Sequence, residues 1–128
     1  MRIVIRLSAL ALGVLLGPLP GHAADVTGKW TAEFDTQVGP QKYTFDLKAE
    51  GDKVIGKAVF ERMGQKGEAD LLEGKLAGDQ VSFVETFDAM GTPVRIEYKG
   101  TLKGDEIAFT RKVGDFATEQ FVARRAKN

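Results

Sequence analysis

The chain has 128 residues, no cysteine, one histidine and equal numbers of basic and acidic side chains, 18 Lys+Arg against 18 Asp+Glu. That length holds one domain, and the missing cysteines exclude disulfides, thiolate chemistry and most zinc sites. The even charge balance offers no basic face for nucleic acid or for an anionic membrane surface.

The first 23 residues read as a cleaved secretory signal peptide. Arg2 and Arg6 form a positive start, and residues 7–16 are an apolar run interrupted only by Ser8. Gly17-Pro18-Leu19-Pro20 breaks the run, and Gly21-His22-Ala23 places small residues where a signal peptidase cuts. The run is shorter than the roughly 20 residues that span a bilayer, so cleavage is expected and no membrane association after it. Cleavage removes Arg2, Arg6 and His22, leaving 18 − 2 = 16 basic against 18 acidic residues, a net charge of −2. With no histidine left, the commonest general base and metal ligand is gone. The expectation is a secreted or periplasmic protein that is not an enzyme and uses neither cofactor nor metal, with residues 24–128 as its single domain.

Residues 26–35 form the first predicted strand. Trp30, Ala32 and Phe34 face one way and Lys29, Thr31, Glu33 and Asp35 the other, the period of two that a half-buried strand requires. Thr36-Gln37-Val38-Gly39-Pro40 reads as a turn. The second strand, 41–49, turns Tyr43, Phe45, Leu47 and Ala49 inward. The third, 53–62, turns Val54, Gly56, Ala58 and Phe60 inward and leaves Ile55 and Val59 outside. Residues 63–67 read as a flexible connection. The fourth strand, 68–76, has adjacent Leu71 and Leu72, which face opposite ways unless a bulge intervenes. The fifth, 80–87, aligns Val81, Phe83, Glu85 and Phe87, and a loop over 88–93 follows. The sixth, 94–102, carries Val94, Ile96, Tyr98 and Leu102 inward. The seventh, 106–112, carries Ile107, Phe109 and Arg111, and the eighth covers 116–125.

Gly51-Asp52, Gly78-Asp79 and Gly104-Asp105 recur after 27 and 26 residues, one pair for every two strands. A calcium loop needs more oxygen ligands than each pair offers, so hairpin chemistry is the expectation: Gly at a positive φ and Asp bonding its own backbone. Eight strands with short connections and no helix-length segment predict an all-β fold, an antiparallel up-and-down meander. Closing the last strand onto the first removes both edges and makes a small barrel. An eight-stranded barrel is either filled by its side chains or holds one small ligand. Eleven aromatics, most of them inward, make filling a serious competitor.

Gly28-Lys29-Trp30 on the first strand, with Arg124-Arg125 on the last, resembles the calycin signature of lipocalins, fatty-acid-binding proteins and avidins. The resemblance implies a barrel in which the Trp30 indole packs near Arg124 or Arg125 and closes one end. Avidin is similar in length and in its opening residues. The Asn and Ser that hold biotin there have no counterpart in Thr31-Ala32-Glu33-Phe34, and no second tryptophan is present, so biotin is not the expected ligand.

Glu85 and Arg111 are charges at inward positions. Their strands both flank the sixth, so the two could meet over Tyr98 or Ile96 as a mutually satisfied pair. They could instead anchor a polar ligand head group, or reach water at a rim. The candidate ligand-binding residues are Trp30, Tyr43, Glu85, Tyr98 and Arg111. Met63 and Met90, each beside a glycine in a connection at the same end, could form a soft lip around the mouth. Two functions stay open: a barrel binding a small, largely apolar ligand, and a side-chain-filled interaction module.

Overall fold

The computed structural model describes residues 25–127. The signal peptide read over residues 1–23 lies outside them. Nine strand segments follow one another without a helix: β1 (Gly28–Thr36), β2 (Gly39–Glu50), β3 (Lys53–Arg62), β4 (Gln65–Asp70), β5 (Leu72–Ala77), β6 (Gln80–Ala89), β7 (Thr92–Lys103), β8 (Glu106–Val113) and β9 (Ala117–Arg125). Each pairs antiparallel with its neighbours, and β9 returns to β1 through Trp30↔Arg125 and Thr31↔Arg124. β4 and β5 are one stave broken at Leu71, so the protein is the closed eight-stranded up-and-down barrel that the alternation predicts.

The break has a local cause. Leu71 is buried and Leu72 exposed, as plain alternation gives, so the cause lies in the backbone on either side of them. The Leu71 N–H leaves the regular ladder to bond Gly56 O at 2.9 Å. Glu73 takes a positive φ of 54°, and Gly74 lies so close to β3 that a Cβ there would sit 1.8 Å from Val54 O. Only glycine allows that approach.

Strands run further than the alternation suggests, and the connections are correspondingly tighter. Residues 63–67 are not a flexible link. Met63-Gly64 is a two-residue turn between paired Arg62 and Gln65. Met90-Gly91 likewise joins Ala89 to Thr92, so the loop expected over 88–93 shrinks to two residues. Gly39 and Pro40 belong to β2 rather than to a turn. The Thr36 hydroxyl closes the preceding reversal, accepting from Val38 N–H and donating to Gly39 O.

The two ends of the barrel differ. At the closed end lie the three Gly-Asp turns, with glycine φ near 60° (64°, 62° and 60°) in the first turn position, as a type II′ hairpin requires. Each of these aspartates also accepts from the strand beyond. Leu76 N–H bonds Asp52 O, Leu102 N–H bonds Asp79 O and Arg125 N–H bonds Asp105 O. The repeat is therefore one structural joint used three times. Trp30 and Val26 are fully buried here, with the indole N–H donating to Val26 O at 2.9 Å. The Arg125 guanidinium stacks 4.3 Å over the indole and caps it, donating to Asp25 O and Thr27 O.

Toward the other end the staves part. β1 and β9 share only those two register pairs, and β6 pairs with the broken stave only from Leu72↔Val84 downward. The mouth is thus framed by two four-stranded halves, β1–β4 and β6–β9. Phe34 and Phe121 fill one seam, stacked at 4.2 Å and 8° between planes. Below the mouth, Phe45, Phe83, Tyr98 and Phe109 interlock with centroids 5.0 to 6.0 Å apart. This half of the lumen is solid.

Candidate functional site

The aromatic core ends in a polar layer. In β2, β3, β6, β8 and β9 the inward phase of the alternation turns polar near the mouth, and in β6, β8 and β9 it turns apolar again above that layer at Phe87, Val113 and Ala117. It delivers Gln41, Arg62, Arg111 and Glu119, with Glu85 just beneath them.

Two arginines stitch the halves together. Arg62, from β3, spans the seam beside β4 and bonds Glu85 Oε2 on β6 at 2.6 Å. Its guanidinium lies 3.7 Å over the Phe60 ring and 5.3 Å from that of Phe87. Arg111, from β8, reaches the opposite half. It donates to Gln41 Oε1 at 3.1 Å and to the Tyr43 hydroxyl at 3.2 Å, as well as to Glu119 Oε1 at 2.9 Å on its own side. Tyr98 and Tyr43 both donate to Glu85 Oε1, at 2.8 and 3.4 Å. Glu85 is completely buried, and a buried carboxylate is tolerable only with this density of donors.

The expected Glu85–Arg111 pair is therefore not a direct one. Each charge has its own partner, Arg62 and Glu119, and the Tyr43 hydroxyl links the two. The layer's two cations and two anions balance. Burial, reinforced by the Glu85 charge, raises the Tyr43 phenol above its ordinary value and Tyr98 well above it. Burial works against the Arg111 charge, but Tyr98, Tyr43, Glu119 and Glu85 outweigh it and raise its pKa. Tyr43, Tyr98 and Arg111 therefore keep their protons at neutral pH.

Above the layer is a cavity of about 300 Å³ that opens at the mouth. Gln41, Arg62, Arg111 and Glu119 form its floor, while Val38, Phe87, Val94, Val113 and Phe116 are among its walls. That volume is at the lower bound for small-molecule pockets, roughly 300–1,000 Å³. Larger grooves lie on the outer surface, one of about 650 Å³ along the β5 break and one of about 470 Å³ along the β1–β9 seam. Neither has a charged floor beneath apolar walls. Arg111 uses both Nη atoms on protein acceptors, whereas Arg62 uses only Nη2. The Nε of each arginine is buried without an acceptor. Among the described residues Arg62 Nη1 bonds to nothing, so donors remain unspent at the cavity floor.

Of the five candidate binding residues, only Arg111 lines this cavity. Tyr43, Glu85 and Tyr98 form the layer beneath it, and Trp30 is at the opposite, sealed end. Met63 stands at the mouth and lines the cavity; Met90 is on the neighbouring rim and does not. Gln41, Arg62 and Glu119 lie inside the strand ranges read from the sequence but escape a reading that takes the ends of those strands as solvated. The signal was present, since each lies two positions mouthward of an inward aromatic: Tyr43, Phe60 and Phe121. Among the described residues no three His, Cys, Asp or Glu side chains converge as a metal site would need.

No protein-family model matches the chain, and no curated protein and no solved structure is significantly similar to it.

Proposed function

We infer that this is an exported, calycin-like barrel that binds one small, largely apolar molecule at its mouth, with a hydrogen-bond-accepting head on the cavity floor. What carries the reading is the contrast within one lumen. The closed half is packed solid, and the mouth half keeps an apolar-walled space of about 300 Å³ over Arg62, whose Nη1 has no acceptor among the described residues. A carboxylate head complements Arg62 Nη1 and Arg111 by charge-assisted hydrogen bonding. An amine meets two guanidinium groups there, with Glu85 sealed beneath them. The Trp30–Arg125 contact supports the calycin likeness, and the N-terminal sequence supports export to the periplasm or medium.

The second reading, a packed interaction module, draws on the charge balance of the layer, which is satisfied without any ligand. Calorimetric titration with octanoate and octylamine separates the two. The ligand reading expects octanoate to bind with a negative ΔCp and octylamine to bind more weakly. It also expects octanoate binding to be lost in Arg62→Met/Glu85→Gln, a double variant that removes the pair without stranding either charge. Failure of both probes, with no small molecule seen by native mass spectrometry, would leave the packed module.

A further inference from the structure

The four turns around the mouth each carry one exposed large apolar side chain. Val38, Met63, Met90 and Phe116 are 61, 67, 102 and 75% exposed. The three turns at the closed end carry Gly-Asp instead. Two of the mouth residues also strain the backbone. Met63 and Met90 have φ of 51° and 55° and each precedes a positive-φ glycine, the geometry of a type I′ turn in which Asn, Asp or Gly is comfortable. At those positions methionine is mostly exposed, Met90 wholly so, and does not relax the chain. Strain and exposure together point outside the isolated molecule.

The form of the rim selects the partner. Val38, Met63 and Phe116 line the cavity mouth and Met90 stands on the neighbouring rim, so the apolar tips surround an opening rather than form a flat patch. A flat protein face would touch the tips and leave the cavity mouth between them empty. A fluid apolar phase wets each tip independently. Within three residues of the tips acidic side chains outnumber basic ones, five to two, which gives no attraction to anionic lipid head groups. The composition-based case against a membrane concerns that electrostatic term only and leaves apolar insertion untouched.

We propose that the mouth rim docks on a lipid bilayer interface by inserting Val38, Met63, Met90 and Phe116, with the cavity opening onto the lipid. Neutral, zwitterionic lipid is the partner, and the attraction is insensitive to salt. The proposal goes beyond ligand binding and does not depend on it.

The test is flotation with phosphatidylcholine vesicles, with no other ligand added. The protein should float with the vesicles equally at low and high salt. Met63→Asn/Met90→Asn should bind about tenfold more weakly per tip, because each apolar side chain kept in water forfeits about that factor. Its thermal stability should equal or exceed that of the parent, because asparagine relieves both turns. Quenching by brominated acyl chains reads orientation. Phe116→Trp should add quenchable emission at the rim, while the sealed Trp30 stays unquenched. Arg62→Met/Glu85→Gln should float normally, which keeps this result separate from that of the cavity.

Absence of flotation would overturn the proposal. So would undiminished flotation of the asparagine variant, binding only to anionic vesicles with loss at high salt, or quenching of Trp30 instead of the rim reporter. Self-association abolished by the same asparagine variant would make the occupant a second copy of the chain and would also overturn it.

Discussion

Removing Arg62 should destabilise the barrel far more than its place at a strand end suggests. Its partner Glu85 is 0% exposed, whereas the Arg62 side chain is 19% exposed. In Arg62→Met the carboxylate keeps its two tyrosine donors but loses its countercharge with no route to water, and breaking a buried pair in this way costs about 3–5 kcal/mol. In Glu85→Gln the tyrosines keep an amide oxygen as acceptor and the freed arginine can swing toward the mouth, so the cost should be about 1–2 kcal/mol. The double variant strands neither charge and should recover about 2 kcal/mol of the summed single costs, read as the coupling in a urea-denaturation cycle. The m-value must stay constant for the comparison to hold. The same cycle on Glu85 and Arg111, which meet only through the Tyr43 hydroxyl, should give less than about 1 kcal/mol. Larger coupling for Glu85–Arg111 than for Glu85–Arg62 would refute the layer's wiring as described.

Phe109 lies 5.4 to 5.7 Å from the rings of Phe121, Phe83 and Phe45, and Phe109→Ala should cost about 3–5 kcal/mol by the same denaturation assay. A loss under about 1 kcal/mol would mean that the lumen is wet at that level. Tyr43 and Tyr98 have raised phenol pKa values, so the folded state holds protons that the unfolded chain releases above its value of 10.0. Their stabilisation is therefore complete below pH 10 and lost above it, at up to about 2.7 kcal/mol per pH unit for the two. Phenolate absorbance should appear together with unfolding and not before it. Arg125→Ala should cost about 0.5–2 kcal/mol through the lost indole contact, with a red shift of Trp30 emission as water reaches the closed end.

The alternation of β2, β6, β7 and β8 is legible because each alternates against one packed face, and it placed Phe45, Phe83, Glu85, Tyr98 and Arg111 inside. Period two names the face of a residue and is silent about depth and about neighbours around a ring. Glu85 and Arg111 were correctly placed inward, yet their partners come from β3 and β9 and could not be deduced from pattern alone. Arg62 was further obscured by ending its strand, where a charge ordinarily reads as solvated. The Met-Gly turns were read as longer loops because methionine is not a turn-former at positive φ. The adjacent leucines at 71 and 72 do not announce the break in the fourth stave, because plain alternation buries one and exposes the other; the break lies in the backbone at Glu73 and Gly74, which period two does not report.

The narrow junction between β1 and β9 sets the order of events in folding. Every other connection joins neighbouring strands through a short turn, but Trp30 and Arg125 are 125 − 30 = 95 residues apart. Bringing such ends together costs about 4 kcal/mol of chain entropy, from (3/2)RT ln n, and only two register pairs are gained there. Hairpins therefore form first, and the ring shuts last. The sole tryptophan sits at that junction, beneath the arginine that seals it. In a refolding trace its emission should lag the far-ultraviolet signal of the sheet, so one intrinsic probe times the conversion of an open ribbon into a barrel.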